Sequence, residues 1–229
     1  MQTIINQKKI KRNSILANIL TFSGLGILVL CLYISNQEID PLMYSGLMAG
    51  LIAGLLAFQV GMDMKNRWSR KPRIDEILSG SLKGLDSEYS IIHYYLGAKH
   101  VFISPAGIFA LIPVYEKGEI IFEDNKLYAV RTGRRRSRKR HINSAAAESK
   151  QELKALNKKL ATELDYTENL NIETLLIFTH PEAKLNLKNI PWKAVHVKKV
   201  KAYVRKLPRA AGLSEQQIKN LTAGMSSAT

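Results

Sequence analysis

Two uncharged apolar stretches, residues 14–35 and 41–62, sit near the start of the chain. Each runs for about 22 residues, which at roughly 1.5 Å per helical residue covers a bilayer core about 30 Å thick. A chain with two such stretches is expected to be a two-pass membrane hairpin with a soluble remainder. Only Asn36, Gln37, Glu38, Ile39 and Asp40 separate the spans, while Lys8, Lys9, Lys11 and Arg12 precede the first and Lys65, Arg67, Arg70, Lys71 and Arg73 follow the second. Basic flanks stay on the cytoplasmic side, so both termini are expected inside and the short acidic turn outside. A cleaved signal sequence is the rival reading. Its apolar core is shorter, about 7 to 15 residues, and no small-residue cleavage pattern follows residues 30–36.

About 150 of the 229 residues remain after the hairpin and its flanks, enough for one packed domain. The reading is a basic N-terminus at 1–13, spans at 14–35 and 41–62 joined by 36–40, a basic juxtamembrane segment and helix at 63–81, a folded domain at 82–207 and a C-terminal helix and tail at 208–229. The single cysteine, Cys31, lies in the first span, so neither an internal disulfide nor a cysteine metal cluster is available. A formal net charge of +15 points to polyanionic partners: anionic lipid, nucleic acid or an acidic protein.

Gly46, Gly50 and Gly54 recur every fourth residue in the second span and line one helix face, where another backbone can approach closely. The first span packing into this groove is the simpler reading, and homo-oligomerisation through it is the sharper one. Neither span carries an ionisable group, which a transporter or channel generally needs. The hairpin therefore reads as an anchor.

Beyond Pro72, apolar residues at 77, 78, 82 and 85 and then at 89, 92 and 96 fall at spacings of three and four, predicting one or two helices over 74–96. The pattern then changes. Residues 100–104 and 108–114 are rich in β-formers around a Pro105-Ala106-Gly107 turn, and 119–123 and 126–130 are joined by Asp124-Asn125, so two hairpins are predicted. Residues 131–141 contain seven Arg or Lys and no apolar anchor, which predicts a mobile loop. A long helix follows, opened by Asn143 or Ser144 and striped with Leu153, Leu156, Leu160 and Leu164. Strands at 173–178 and 194–197, a basic helix around Val200, Tyr203, Val204 and Leu207, and a short helix at 215–223 capped by Ser214 and Gln217 complete the reading.

The order of helix, antiparallel meander, long helix and strands, together with the run from His100 through Ser104-Pro105-Ala106-Gly107 to Phe109, resembles the NERD (nuclease-related) domain. Phe178-Thr179-His180-Pro181 at a later strand end adds to the likeness, which spans roughly 82–207. The resemblance implies a restriction-endonuclease-like α/β core with a central mixed sheet, and a bacterial plasma membrane as its setting. Such nucleases place an Asp before the first hairpin strand and Glu-x-Lys at the end of the second, holding Mg²⁺ and steadying charge on the scissile phosphate. Laid on this chain, the Asp position holds Lys99 and the Glu-x-Lys positions hold Ile112-Pro113-Val114. The resemblance thus implies a pseudoenzyme with no catalytic residue, no metal and no cofactor. Pro113 also lacks a backbone donor, which suits an edge or bulge.

A relocated Mg²⁺ site among Asp86, Glu88, Glu116 and Glu119, with Lys117, Glu123 and Asp124 nearby, is the enzymatic alternative; carboxylates and lysines beside Gly118 are also what an exposed turn carries. The histidines, at 93, 100, 141, 180 and 196, show no pair at ligand spacing, and no phosphate-binding glycine loop exists. The remaining functional signal is Arg131, Arg134, Arg135, Arg136, Arg138, Lys139 and Arg140. These residues fit nucleic-acid phosphates, anionic lipid, or a solvated loop with no role. No aromatic residue interleaves them, so base stacking is not expected. The competing function is that of a membrane adaptor assembled through Gly46, Gly50 and Gly54.

Overall fold

The computed structural model describes residues 1–37, 40–133, 136–163 and 172–208. Arg134, Arg135, Leu164 and the predicted C-terminal helix with its cap lie outside the described residues. The chain divides into two compact units, Gln7–Arg73 and a second one that combines Met1–Asn6 with everything from Ile74 onward.

The first unit is a helical hairpin, α1 (Gln7–Ser35) and α2 (Pro41–Trp68), both long and apolar enough to cross a membrane. Among the described residues, the exposed large apolar side chains all lie on these two helices except Tyr115. Over their apolar stretches the exposed side chains lie all around both helices, so the two could cross a membrane. The helices run antiparallel, and their closest approach is at glycines. A methyl at Gly24 would stand 2.5 Å from the Phe58 nitrogen, and one at Gly61 would stand 2.5 Å from the Thr21 nitrogen. Ser14 and Ser69 share a hydrogen bond of 2.8 Å across the pair.

The second unit opens with β1 (Gln2–Ile5), which pairs in parallel with β2 (Ser90–His93). The order then runs α3 (Ile74–Leu82), β2, β3 (His100–Ser104), β4 (Gly107–Val114), β5 (Gly118–Glu123), β6 (Lys126–Thr132), β7 (Ser137–His141), α4 (Asn143–Glu163), β8 (Ile172–Phe178), β9 (Ala183–Asn186), β10 (Lys193–His196), a 3₁₀ turn and α5 (Val200–Arg205). Two sheets result. A mixed six-stranded sheet has the order β1-β2-β3-β4-β8-β10, and a four-stranded sheet has the order β7-β6-β5-β9.

Both faces of the larger sheet are covered, as strands apolar on both sides require. Ile91, Phe102, Phe109, Leu175 and Ile177 pack with Leu78 and Leu82 of α3 and Val200 and Val204 of α5. The alternate residues Ile92, Val101, Ile103, Ile108 and Ala110 pack with Leu156 and Leu160 of α4. The smaller sheet joins through a third cluster in which Ile120, Leu127 and Ala129 meet Ile112, Val114, Leu176 and Phe178. The fold is therefore mixed α/β.

Four sequence expectations are corrected. The 1–13 segment is not merely a basic leader, because Gln2–Ile5 is a sheet strand and α1 already begins at Gln7. Helix over 74–96 stops at Leu82; Gly84 takes a φ of 79° and Ser90–His93 is a fully buried strand. Two-sided burial makes β2 apolar without alternation, which imitates helical spacing. Within 131–141, expected as a loop, Arg131 and Thr132 end β6 and Ser137–His141 is a strand paired antiparallel with it. Pro113 sits in a central strand rather than an edge, yet the β3 ladder registers only as far as Ala110, so the missing donor falls where β8 alone flanks β4.

Candidate anion-binding site

The basic segment is a hairpin displayed at the edge of the four-stranded sheet. Gly133 N–H donates to Arg136 O at 3.1 Å and closes the turn. Antiparallel register then sets Arg131 opposite Arg138, Ala129 opposite Arg140 and Val130 opposite Lys139. Facing residues point to the same side, so Arg131, Arg138 and Arg140 share the face that carries Ala129. Like charges directly opposed destabilise a strand pair, and a carboxylate offsets them. Glu116, 7% exposed in the link between β4 and β5, hydrogen-bonds Arg140 and lies 3.7 Å from Arg131.

The other face carries Tyr128, Lys139 and His141. The Lys139 ammonium stands 4.2 Å above the Tyr128 ring, whose other neighbour, His141, is 5.2 Å away between centroids. Glu123 accepts a hydrogen bond from Lys139 and so holds that ammonium above its usual pKa. Sequence reading found no aromatic among the arginines because Tyr128 comes into their company only through cross-strand pairing.

Arg136 and Arg138 are exposed and have no ionic partner among the described residues. The hairpin therefore has two kinds of cation. Arg131 on β6 and Lys139 and Arg140 on β7 are tied to carboxylates, whereas Arg136 and Arg138 are exposed and without an ionic partner among the described residues. Arg134 and Arg135, of the same predicted set, lie outside the described residues.

At the positions where the resemblance expects metal ligands, Lys99 projects from the turn before β3. Its Nζ lies 2.5 Å from Glu148 Oε1 and 3.3 Å from Glu152 Oε1, and its backbone N–H donates to Glu152 Oε2 at 2.6 Å. Gly97, at a φ of 78°, makes this possible. Any side chain there would come within 2.6 Å of Ala155 O, so its absence lets α4 settle over the turn. Ile112 and Val114 are buried apolar residues. The acidic residues weighed for a relocated metal site do not gather. Glu116 is held by arginines, Glu119 accepts from Asn186 at 2.8 Å and Glu123 accepts from Lys139. No group of three His, Cys, Asp or Glu converges among the described residues.

His180 follows β8, where its ring lies 4.9 Å from Tyr115, and its carbonyl pairs with His196 Nε2 at 3.1 Å. His93 and His100 face each other inside the unit, Nδ1 to Nδ1 at 2.8 Å. Of the glycines predicted to pack the hairpin, Gly50 meets Cys31 Sγ and Gly54 meets Ile27 and Leu28, while nothing lies within 4 Å of a side chain built at Gly46. Gly24 and Gly61, which stand outside that run, make the tightest approaches.

Compared with known proteins, the chain matches no family model, no curated protein and no solved structure.

Proposed function

We propose that this chain is a two-pass membrane protein whose cytoplasmic domain is a catalytically silent, NERD-like member of the restriction-endonuclease-like fold and binds nucleic acid on the β6–β7 hairpin. The observation that carries the reading is that Arg138 on β7 and Arg136 just before it are exposed and have no ionic partner among the described residues, while Lys139 and Arg140 on the same strand are held by carboxylates. Guanidinium groups fixed along a strand fit phosphate oxygens, and binding them releases counterions. The cations read backbone phosphate, so recognition is independent of base sequence.

The order α3-β2-β3-β4-α4-β8, with an antiparallel meander and a parallel fourth strand, supports the nuclease-like reading. An ammonium between two glutamates at the first ligand position, and apolar side chains at the second, support loss of catalysis. A membrane setting is supported by the exposed apolar circumference of α1 and α2. Residues before α1 and after α2 belong to one folded unit, which supports both ends of the hairpin lying on the same side of a bilayer. The basic flanks support the cytoplasm as that side.

The full chain in neutral-lipid nanodiscs should retard duplex DNA or RNA with a steep salt dependence. Replacing Arg136 and Arg138 with glutamine should weaken that retardation for every sequence alike. Undiminished binding by the variant sinks the assignment to this hairpin, and retention only by nanodiscs of anionic lipid would reassign it to the membrane surface.

A further inference from the structure

Ser79 on α3, His93 on β2 and His100 on β3 form a hydrogen-bonded chain unconnected with the basic hairpin. Ser79 Oγ lies 2.9 Å from His93 Nε2, and His93 Nδ1 lies 2.8 Å from His100 Nδ1. His93 is fully buried and His100 is 3% exposed, with Tyr94 edge-on to His100 at 5.2 Å between centroids. At the other end, Ser79 is half-buried and lines an open pocket of about 490 Å³ together with Thr3, Gly80, Lys83 and Leu85. The chain thus runs from a dry interior to a cavity of small-ligand size.

Burial, then the neighbouring His93 and Lys99, holds the pKa of His100 well below its usual value. A neutral His100 whose Nδ1 accepts requires His93 to carry its proton on Nδ1. Of the two tautomers that the Nδ1–Nδ1 contact allows, this one makes His93 Nε2 the acceptor for the Ser79 hydroxyl. This is the nucleophile, base and orienting group of serine acyl transfer, with an imidazole in the orienting place. Lys83, in the turn that follows α3, lines the same pocket and supplies positive charge for a carbonyl oxygen.

We propose that Ser79 is a nucleophile toward small carboxylic esters, with His93 as its general base and His100 as a positioning residue. Ser79 Oγ bonds to the ester carbonyl carbon while its proton passes to His93 Nε2. The ester C–O bond breaks, and the alcohol leaves with that proton. Water then attacks the acyl group by the same route, releasing the carboxylic acid and restoring the hydroxyl.

The test uses the full chain in detergent micelles with a fluorophosphonate probe, the adduct located by peptide mass spectrometry. Ser79 Oγ displaces fluoride at phosphorus, so the expected result is one adduct on Ser79 that is absent from Ser79→Ala. His93→Gln should slow labelling about 100-fold. The labelling rate should rise with pH as the general base loses a proton, and His100→Gln should shift the midpoint of that rise, which a merely structural role would not do. A chain with a normal thermal melt that takes up no probe overturns the proposal, as does labelling that persists in Ser79→Ala. If His93→Gln fails to fold, the pH profile of the unaltered chain decides instead, and a flat profile overturns the assignment of the base.

Discussion

Arg140 on β7 hydrogen-bonds the carboxylate of Glu116, a residue that precedes β5 and lies two strands away across the smaller sheet. Arg131 shares the same carboxylate at 3.7 Å, so one buried acid anchors two cations of the basic hairpin. Removing its charge therefore acts on binding and stability in opposite senses. Glu116→Gln should release both guanidinium groups to solvent and steepen the salt dependence of DNA retardation by up to roughly two phosphate contacts, at about 0.9 in log-log slope for each. The same change should cost only about 1 kcal/mol in a thermal melt, because both arginines are more than half exposed and reach water easily. Weaker binding by Glu116→Gln would mean that the hairpin needs its anchor more than its free charge.

Neighbouring cations on β7 should behave unequally. Arg138→Gln removes an unpaired guanidinium and should lower the slope by about one contact, while Lys139→Gln removes a charge already engaged by Glu123 and should lower it less. Nitrocellulose filter binding at several salt concentrations separates the two.

Glycine substitutions in the hairpin should rank by the space each site offers. Gly24→Ala and Gly61→Ala place a methyl 2.5 Å from partner backbone nitrogen and must push α1 and α2 apart, whereas Gly46→Ala meets nothing. Cysteines substituted at Ser14 and Ser69 report the separation through oxidative cross-linking. That yield should fall sharply with Gly24→Ala or Gly61→Ala and stay unchanged with Gly46→Ala.

The depressed pKa of His100 sets a direction for stability against pH. Below about 6.5 the unfolded chain takes up a proton at this position that the folded chain refuses. Stability is thus full above that pH and declines as pH falls toward the lower folded-state pKa, by at most about 1.4 kcal/mol per pH unit for one group. Urea melts at successive pH values should show this slope in the parent chain and a shallower one in His100→Gln.

Lys99 holds two glutamates of α4 close together, and replacing its charge should change what they attract. Lys99→Asp would set a third carboxylate beside Glu148 and Glu152, a ligand set suited to Ca²⁺ or Mg²⁺. Millimolar Ca²⁺ should then raise the melting temperature of the variant and leave the parent unchanged. No response from the variant would show that α4 moves away once the ammonium is gone.

What could be read from the chain beforehand was what local chemistry decides. The apolar spans, the turn at Pro105-Ala106-Gly107 and the Asp124-Asn125 hairpin, whose φ values are 50° and 58°, depend on residues adjacent in sequence. Strand β2 was misread because Tyr89, Ile92 and Leu96 fall at helical spacing even though Ile91 and Ile92 bury opposite faces. Strand β7 was misread because mutual repulsion argued for a loop, and the carboxylates that offset it, Glu116 and Glu123, come from elsewhere in the chain. Strand β1, four residues long, carries too little pattern to register. Lys99 with Glu148, Ser79 with His93, and His93 with His100 are separations of 49, 14 and 7 residues that no periodicity reveals.

The pairing of Gln2 with Ser90 makes the helical hairpin an insertion within the α/β unit. A fragment beginning at Ile74 would strip β2 of its parallel neighbour and leave the Leu85 carbonyl without the donor it receives from Met1. A chain in which Asn6 is stitched directly to Ile74 by a few flexible residues would instead keep β1 beside β2 with the greasy excursion looped out.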